Sequence, residues 1–184
     1  MILFFLACSG SGSTDSAIGL DTQNVQGDGL DEVDPADLPT VDGACREPEL
    51  VILESVVDGD TAWFTTNRGS EIVRFIGIDT PERGWEDEPS DCFAEEATAR
   101  TMELLDGGRA WITFDQECED HYDRTLGYIH IGLGAQNFIQ RDLLRGGFAT
   151  IFEVSPNMGF ASEFSMDEGQ ASAAGLGLWT ACSD

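Results

Sequence analysis

At 184 residues the chain has room for one domain and a tail. Hydrophobic residues make up 41%, enough for one packed core, and 35 acids stand against nine basic residues, all arginine, for a net charge of -26. Such a balance argues against the basic patch by which polyanion binders usually hold their ligand.

Residues 2–7 are apolar and then give way to serine and glycine, a run far short of the ~20 residues a membrane-spanning helix needs. The stretch Phe5-Leu6-Ala7-Cys8 resembles the end of a bacterial lipoprotein signal, in which the cysteine is lipidated. Segment 1–8 is therefore read as a signal end with Cys8 as lipidation site, and the missing basic start points to an initiation codon upstream. The chain is expected to be exported, either anchored in the cell envelope or at the surface as a lipoprotein, or secreted. Residues 9–44 are rich in Ser, Gly, Asp, Thr and Pro and are expected to form a disordered acidic tether. Asp28, Asp31, Glu32, Asp34 and Asp37 lack the ligand order of a calcium loop and read as solvated linker charge.

The domain proper is expected over 45–184. Residues 50–57 read as a strand ending at Asp58-Gly59, a hairpin signal. Residues 61–66 and 71–78 read as two more strands, the latter stopped by Thr80-Pro81. A helix is predicted over 93–105, with Ala94, Ala97, Thr98, Thr101, Met102 and Leu105 on one face and Gly107-Gly108 as its stop. Residues 109–115 and 125–131 read as the fourth and fifth strands. Phe138, Ile139, Asp142, Leu143 and Leu144 mark a second helix closed by Gly146-Gly147, and 158–174 a weaker third, interrupted by Gly169. The predicted class is α+β, a five-stranded Greek-key barrel of the OB type with three α-helices. Cys45, Cys92, Cys118 and Cys182 suggest two disulfides in an exported protein, with three possible connectivities. Zinc is disfavoured, because no pair has C-x-x-C spacing and only His121 and His130 are at hand.

Three segments draw the chemistry: Asp58-Gly59-Asp60-Thr61 at a hairpin turn, Arg74 followed by Asp79-Thr80-Pro81-Glu82 where the third strand stops, and Tyr122-Asp123-Arg124 opening the fifth. Singly, each has a plain structural explanation as a turn, a loop start or a paired arginine. Together with Gly127-Tyr128-Ile129, Leu144-Arg145-Gly146-Gly147-Phe148-Ala149 and Gly175-Leu176-Gly177-Leu178-Trp179, their order and spacing resemble the staphylococcal nuclease (thermonuclease) family. The resemblance reinforces the OB-barrel reading. It implies Ca²⁺ held by the carboxylates of Asp60 and Asp79 and the carbonyl of Thr80, with Glu82 as general base and Arg74 and Arg124 on the scissile phosphate. It implies Tyr122 and Phe152 on the substrate side, and DNA or RNA as substrate, with products ending in 3′-phosphate. A monomer is expected, touching a membrane only through its lipid.

These residue types suit that chemistry. Calcium takes six to eight oxygen ligands, so two carboxylates and a carbonyl leave positions open for water and a phosphate oxygen. Arginine meets the growing charge on phosphoryl oxygens with two parallel N–H donors, as lysine cannot. The sequence departs from the family at Asp123, often glycine there, at His121, often lysine, and at Val154, where a tyrosine packs on the nucleotide. In the family's frame the expected disulfides are Cys92–Cys118 and Cys45–Cys182. Two other readings stand beside the enzyme: a non-catalytic OB module binding nucleic acid or another ligand, and a structural calcium-binding surface lipoprotein.

Overall fold

The computed structural model describes residues 29–84 and 88–182; Cys8 and the signal end lie outside them. Strand β1 (Glu49–Val56) runs into the Asp58-Gly59-Asp60 turn and returns as β2 (Thr61–Thr66), where Ala62 and Phe64 point inward and Trp63 and Thr65 outward. This alternation is that of a half-buried strand. β3 (Gly69–Phe75) pairs antiparallel with β2. It then lies parallel to β6 (Thr125–His130), with Arg74 opposite Leu126. β5 (Arg109–Thr113) joins β6 to β1 and closes the barrel in the order β1-β2-β3-β6-β5. The expected five-stranded OB-type barrel is thus present.

The predicted third strand breaks in two. Gly77 has φ +82°, a left-handed conformation that favours glycine, and a Cβ there would stand 2.6 Å from the Phe164 ring. The chain turns at Ile76, whose N–H donates to the carbonyl of Gly127, and resumes as β4 (Gly77–Asp79). β4 leaves the barrel and pairs with a short strand absent from the sequence reading, β7 (Thr150–Phe152), placing Gly77 opposite Phe152 and Asp79 opposite Thr150.

Helix α1 (Ala94–Leu104) buries Ala94, Ala97, Thr98 and Thr101, whereas Met102 is half exposed rather than on the core face. α2 (Ile139–Gly146) ends at Gly147 in the left-handed conformation. α3 (Ala161–Ala174) passes unbroken through Gly169, where a Cβ would meet open space. A fourth, one-turn helix α4 (Leu178–Ala181) closes the described chain. The core joins the barrel interior (Val51, Phe64, Val73, Phe75, Ile112) to Ile139, Leu143 and Phe164 of α2 and α3.

Two expectations need correction. Residues 29–44 belong to the folded body rather than to the tether. Leu30 and Leu38 bury their side chains against Trp111, whose indole N–H donates to the Leu30 carbonyl, and Arg109 grips Asp31 with two hydrogen bonds of 3.0 and 2.9 Å. Two aliphatic residues in an acidic stretch are enough because Trp111 of β5 gives them a large apolar face to cover. The disulfides are Cys45–Cys118 and Cys92–Cys182, not Cys92–Cys118 and Cys45–Cys182. The Cys45 N–H donates to the Asp115 carbonyl at the end of β5, which sets Cys45 beside Cys118 with 5.7 Å between Cα atoms. At the other end, Phe93 stacks on Phe148 and the Leu178 N–H bonds the Gly147 carbonyl, bringing Cys182 to Cys92.

Candidate active site

The β1–β2 turn delivers the first carboxylate. The Asp60 N–H bonds the Asp58 side chain at 3.1 Å, and the Thr101 hydroxyl of α1 donates to the Gly59 carbonyl at 2.6 Å. Glycine is required at 59, since a Cβ would come within 2.7 Å of the Thr80 side chain. That close approach lets Thr80 donate its N–H (2.7 Å) and hydroxyl (3.1 Å) to one oxygen of Asp60. The other oxygen accepts from the Thr61 hydroxyl at 3.0 Å and lies 3.1 Å from Arg74 Nε.

Arg74 joins the two expected carboxylates. From β3 it reaches Asp60 through Nε and Asp79 through Nη2 at 2.7 Å, while Nη1 donates to the carbonyls of Phe75 and Ile78. The β2–β3 register and the break at Gly77 produce this convergence: the first sets Arg74 beside Thr61, and the second folds Asp79 back on the same side. Burial, the largest influence, pushes Asp60 up to about 7 against the pull of Arg74, and Asp58 adds repulsion. Asp60 is only 2% exposed, so one guanidinium compensates two carboxylates at the edge of a dry interior.

Glu82 and Arg124 line the same cleft of about 520 Å³ as Arg74 and Asp79. Glu82 keeps contact with solvent, yet partial burial and then repulsion from Asp58 and Asp79 raise it above the ordinary carboxylate range. Its loop is held by exchange with Asp91, whose N–H donates to the Glu82 carbonyl and whose carboxylate accepts from the Glu82 N–H. Arg124 is held by Asp120: Nε and Nη2 both reach one carboxylate oxygen at 2.7 Å, and its N–H bonds the other at 3.0 Å. The carboxylate on Arg124 is therefore that of Asp120. Phe152, brought in by β7, lines the cleft with Val154 and Leu126. Tyr122 is mostly exposed, lies under the Arg124 guanidinium at 5.4 Å and touches the His121 ring.

Among the described residues no group of three or more His, Cys, Asp or Glu is gathered as a metal cage. What this corner offers is oxygen donors: the half-exposed Asp79 at the cleft wall, with the buried Asp60 carboxylate and Thr80 behind it. Such donors suit a hard divalent cation that keeps water and substrate in its remaining positions, and the uncompensated carboxylate charge here calls for one. Among the described residues no thiolate is free to bind a softer metal, because Cys45, Cys92, Cys118 and Cys182 are all in disulfides. Sequence reasoning missed Asp120, Thr101, Glu117 and Asn157. Only Asp120 left a signal, as the acid four residues ahead of Arg124.

Barrel and cleft together define a class, a small OB-type α+β protein with carboxylates and guanidiniums converging where β4 leaves the barrel. The family model described as Staphylococcal nuclease homologue matches residues 72–181. The chain belongs to the staphylococcal nuclease family. It is 33% identical to the SPbeta prophage-derived endonuclease YokF of Bacillus subtilis over 135 residues, 71% of this chain and 44% of that one. It is 31% identical to endonuclease YncB of the same organism, over 71% of this chain and 61% of the relative. The thermonuclease of Staphylococcus intermedius is 28% identical, over 71% and 76% of the two chains. The matched region thus spans less than two thirds of both Bacillus proteins.

Proposed function

We propose that the chain is a calcium-dependent nuclease that hydrolyses phosphodiesters of DNA or RNA and leaves 3′-phosphate ends. The observation that carries the reading is the contact of Arg74 with both Asp60 and Asp79 in the cleft that Glu82 and Arg124 also line. Family membership and relatives named endonuclease and thermonuclease support it.

Asp60, Asp79 and the Thr80 carbonyl would hold the ion, which when bound supplies a Lewis acid for the phosphoryl oxygen. Glu82 accepts the proton of the attacking water, and burial with the nearby Asp58 and Asp79 raises its affinity for that proton. Arg74 and Arg124 meet the equatorial oxygens as charge grows on them. Each guanidinium already rests on carboxylates, so a phosphate replaces one anionic partner with another and need not order a mobile side chain. Thr101 and Thr80 hold the Asp60 turn in place from outside the cleft.

The test is cleavage of labelled single-stranded DNA by the full chain, with calcium or with chelator, beside Glu82→Gln, Arg74→Ala and Arg124→Ala. Cleavage should need calcium, and each variant should lose at least ~10²–10³ in rate. Binding without cleavage by the wild type would favour a non-catalytic OB module instead. We also propose export with a lipid on Cys8. The two disulfides support an oxidising compartment, and no described helix is long and apolar enough to cross a membrane. A fatty-acid analogue should label the wild type and not Cys8→Ser; equal labelling would refute the anchor.

A further inference from the structure

The cleft is lined by five carboxylates, Asp79, Glu82, Glu117, Glu119 and Asp120, against the guanidiniums of Arg74 and Arg124. Three of the five are compensated: Asp79 by Arg74, Asp120 by Arg124, and Glu119 by Arg46 at 2.5 Å. Among the described residues Glu82 and Glu117 are the cleft carboxylates with no ion pair. Glu82 has a role in the reaction proposed above. Glu117 has none.

Yet Glu117 is fixed with care. The side chain of Asn157, only 5% exposed, accepts from the Glu117 N–H at 2.8 Å and donates to the Glu117 carbonyl at 2.8 Å. Asn157 in turn closes its own turn through an N–H bond to the Val154 carbonyl, so it ties the Val154 loop to the Glu117 loop. A buried amide spent wholly on one backbone position holds that residue at the cleft, while its carboxylate is left without a partner.

An uncompensated carboxylate at the cleft wall favours the less charged of two otherwise similar anions. A phosphodiester carries one negative charge. A terminal phosphomonoester carries close to two at neutral pH, because its second ionisation lies near ~6. We propose that Glu117 is a specificity-determining residue, biasing the cleft toward the singly charged phosphodiester and against the doubly charged terminal phosphate. Hydrolysis converts the first into the second, so the same carboxylate speeds product release. The proposal rests on the nuclease reading for its biological sense, but not for its measurement.

The test uses the full chain with calcium present and isothermal titration at low ionic strength. Two ligands are compared, a nucleoside 3′-monophosphate and its methyl ester, which differ by one charge. The ratio of their dissociation constants, monophosphate over ester, should fall about fivefold or more in Glu117→Gln. Glu117→Asp, which keeps the charge, should hold the ratio near the wild-type value, and high salt should shrink the difference between wild type and Glu117→Gln. A merely structural role for Glu117 would move both constants together and leave the ratio alone. An unchanged ratio in Glu117→Gln overturns the proposal, as does failure of the wild type and the variant to bind either ligand. If DNA is never cut and the ratio still shifts, the nuclease reading fails while charge selection at this cleft stands.

Discussion

Asp123 shows how one residue can depart from a family pattern and keep the local shape. Its φ is +63°, the left-handed region where glycine is at ease and where aspartate is among the better-tolerated substitutes. The turn it completes is held by its N–H on the Asp120 carbonyl, and that turn aims Arg124 at the cleft. Among the described residues its own carboxylate has no hydrogen bond or ion pair. The position therefore demands a backbone conformation and not a charge. Asp123→Gly should leave stability to denaturant within about 0.5 kcal/mol, whereas Asp123→Ala should cost about 1 kcal/mol. If alanine and glycine proved equally stable, the conformational account of this position would be wrong.

At the level of elements, the pairing of β5 with β6 hides a titratable group. His130, at the end of β6, is fully buried; its Nε2 lies 2.9 Å from the Thr113 hydroxyl, and its Nδ1 has no partner. Burial pushes it down to about 3. A folded value below the unfolded one of about 6.5 means that the unfolded chain binds a proton which the folded chain refuses. The stabilising effect is complete above that unfolded value and is lost as pH falls from there toward 3. Between about pH 7.5 and pH 5 the wild type should lose about 2 kcal/mol more than His130→Gln, whose side chain does not titrate. Urea unfolding of the two at both pH values checks this, and parallel losses would show that His130 does not carry the dependence.

The same scale marks where the sequence could be read. The barrel strands were legible because alternation, Asp58-Gly59 and the paired glycines punctuate them, and the three segments bearing Asp60, Arg74, Asp79, Glu82 and Arg124 were visible as motifs. The β4–β7 pair was not: three residues carry no period, and their partners lie about 70 positions apart in the chain. That pair nonetheless brings Phe152 to the cleft. The disulfide pattern was one of three, and what decides it is the bond from Cys45 to Asp115, a long-range contact with no local signal.

Across the whole molecule, all nine arginines lie within ion-pair reach of a carboxylate, in the barrel, the helices and the cleft alike. No basic surface is left over to track a phosphate backbone. Residues beyond 48 carry 26 acids against eight arginines, so the folded body itself is strongly anionic. Under the proposed function, affinity rests on the bound ion and the two cleft arginines, with the rest of the surface opposing approach. Proteins that neutralise six to ten phosphates lose ~10³–10⁵ in affinity between about 50 and 200 mM salt, because they release condensed counterions. Here the dominant effect of salt should be to screen repulsion, whose reach shrinks to about 8 Å at physiological ionic strength. Cleavage efficiency on single-stranded DNA, measured at saturating calcium over that salt range, should therefore stay level or rise. A steep fall would mean that the substrate meets a cationic track, and the surface described here has none to offer.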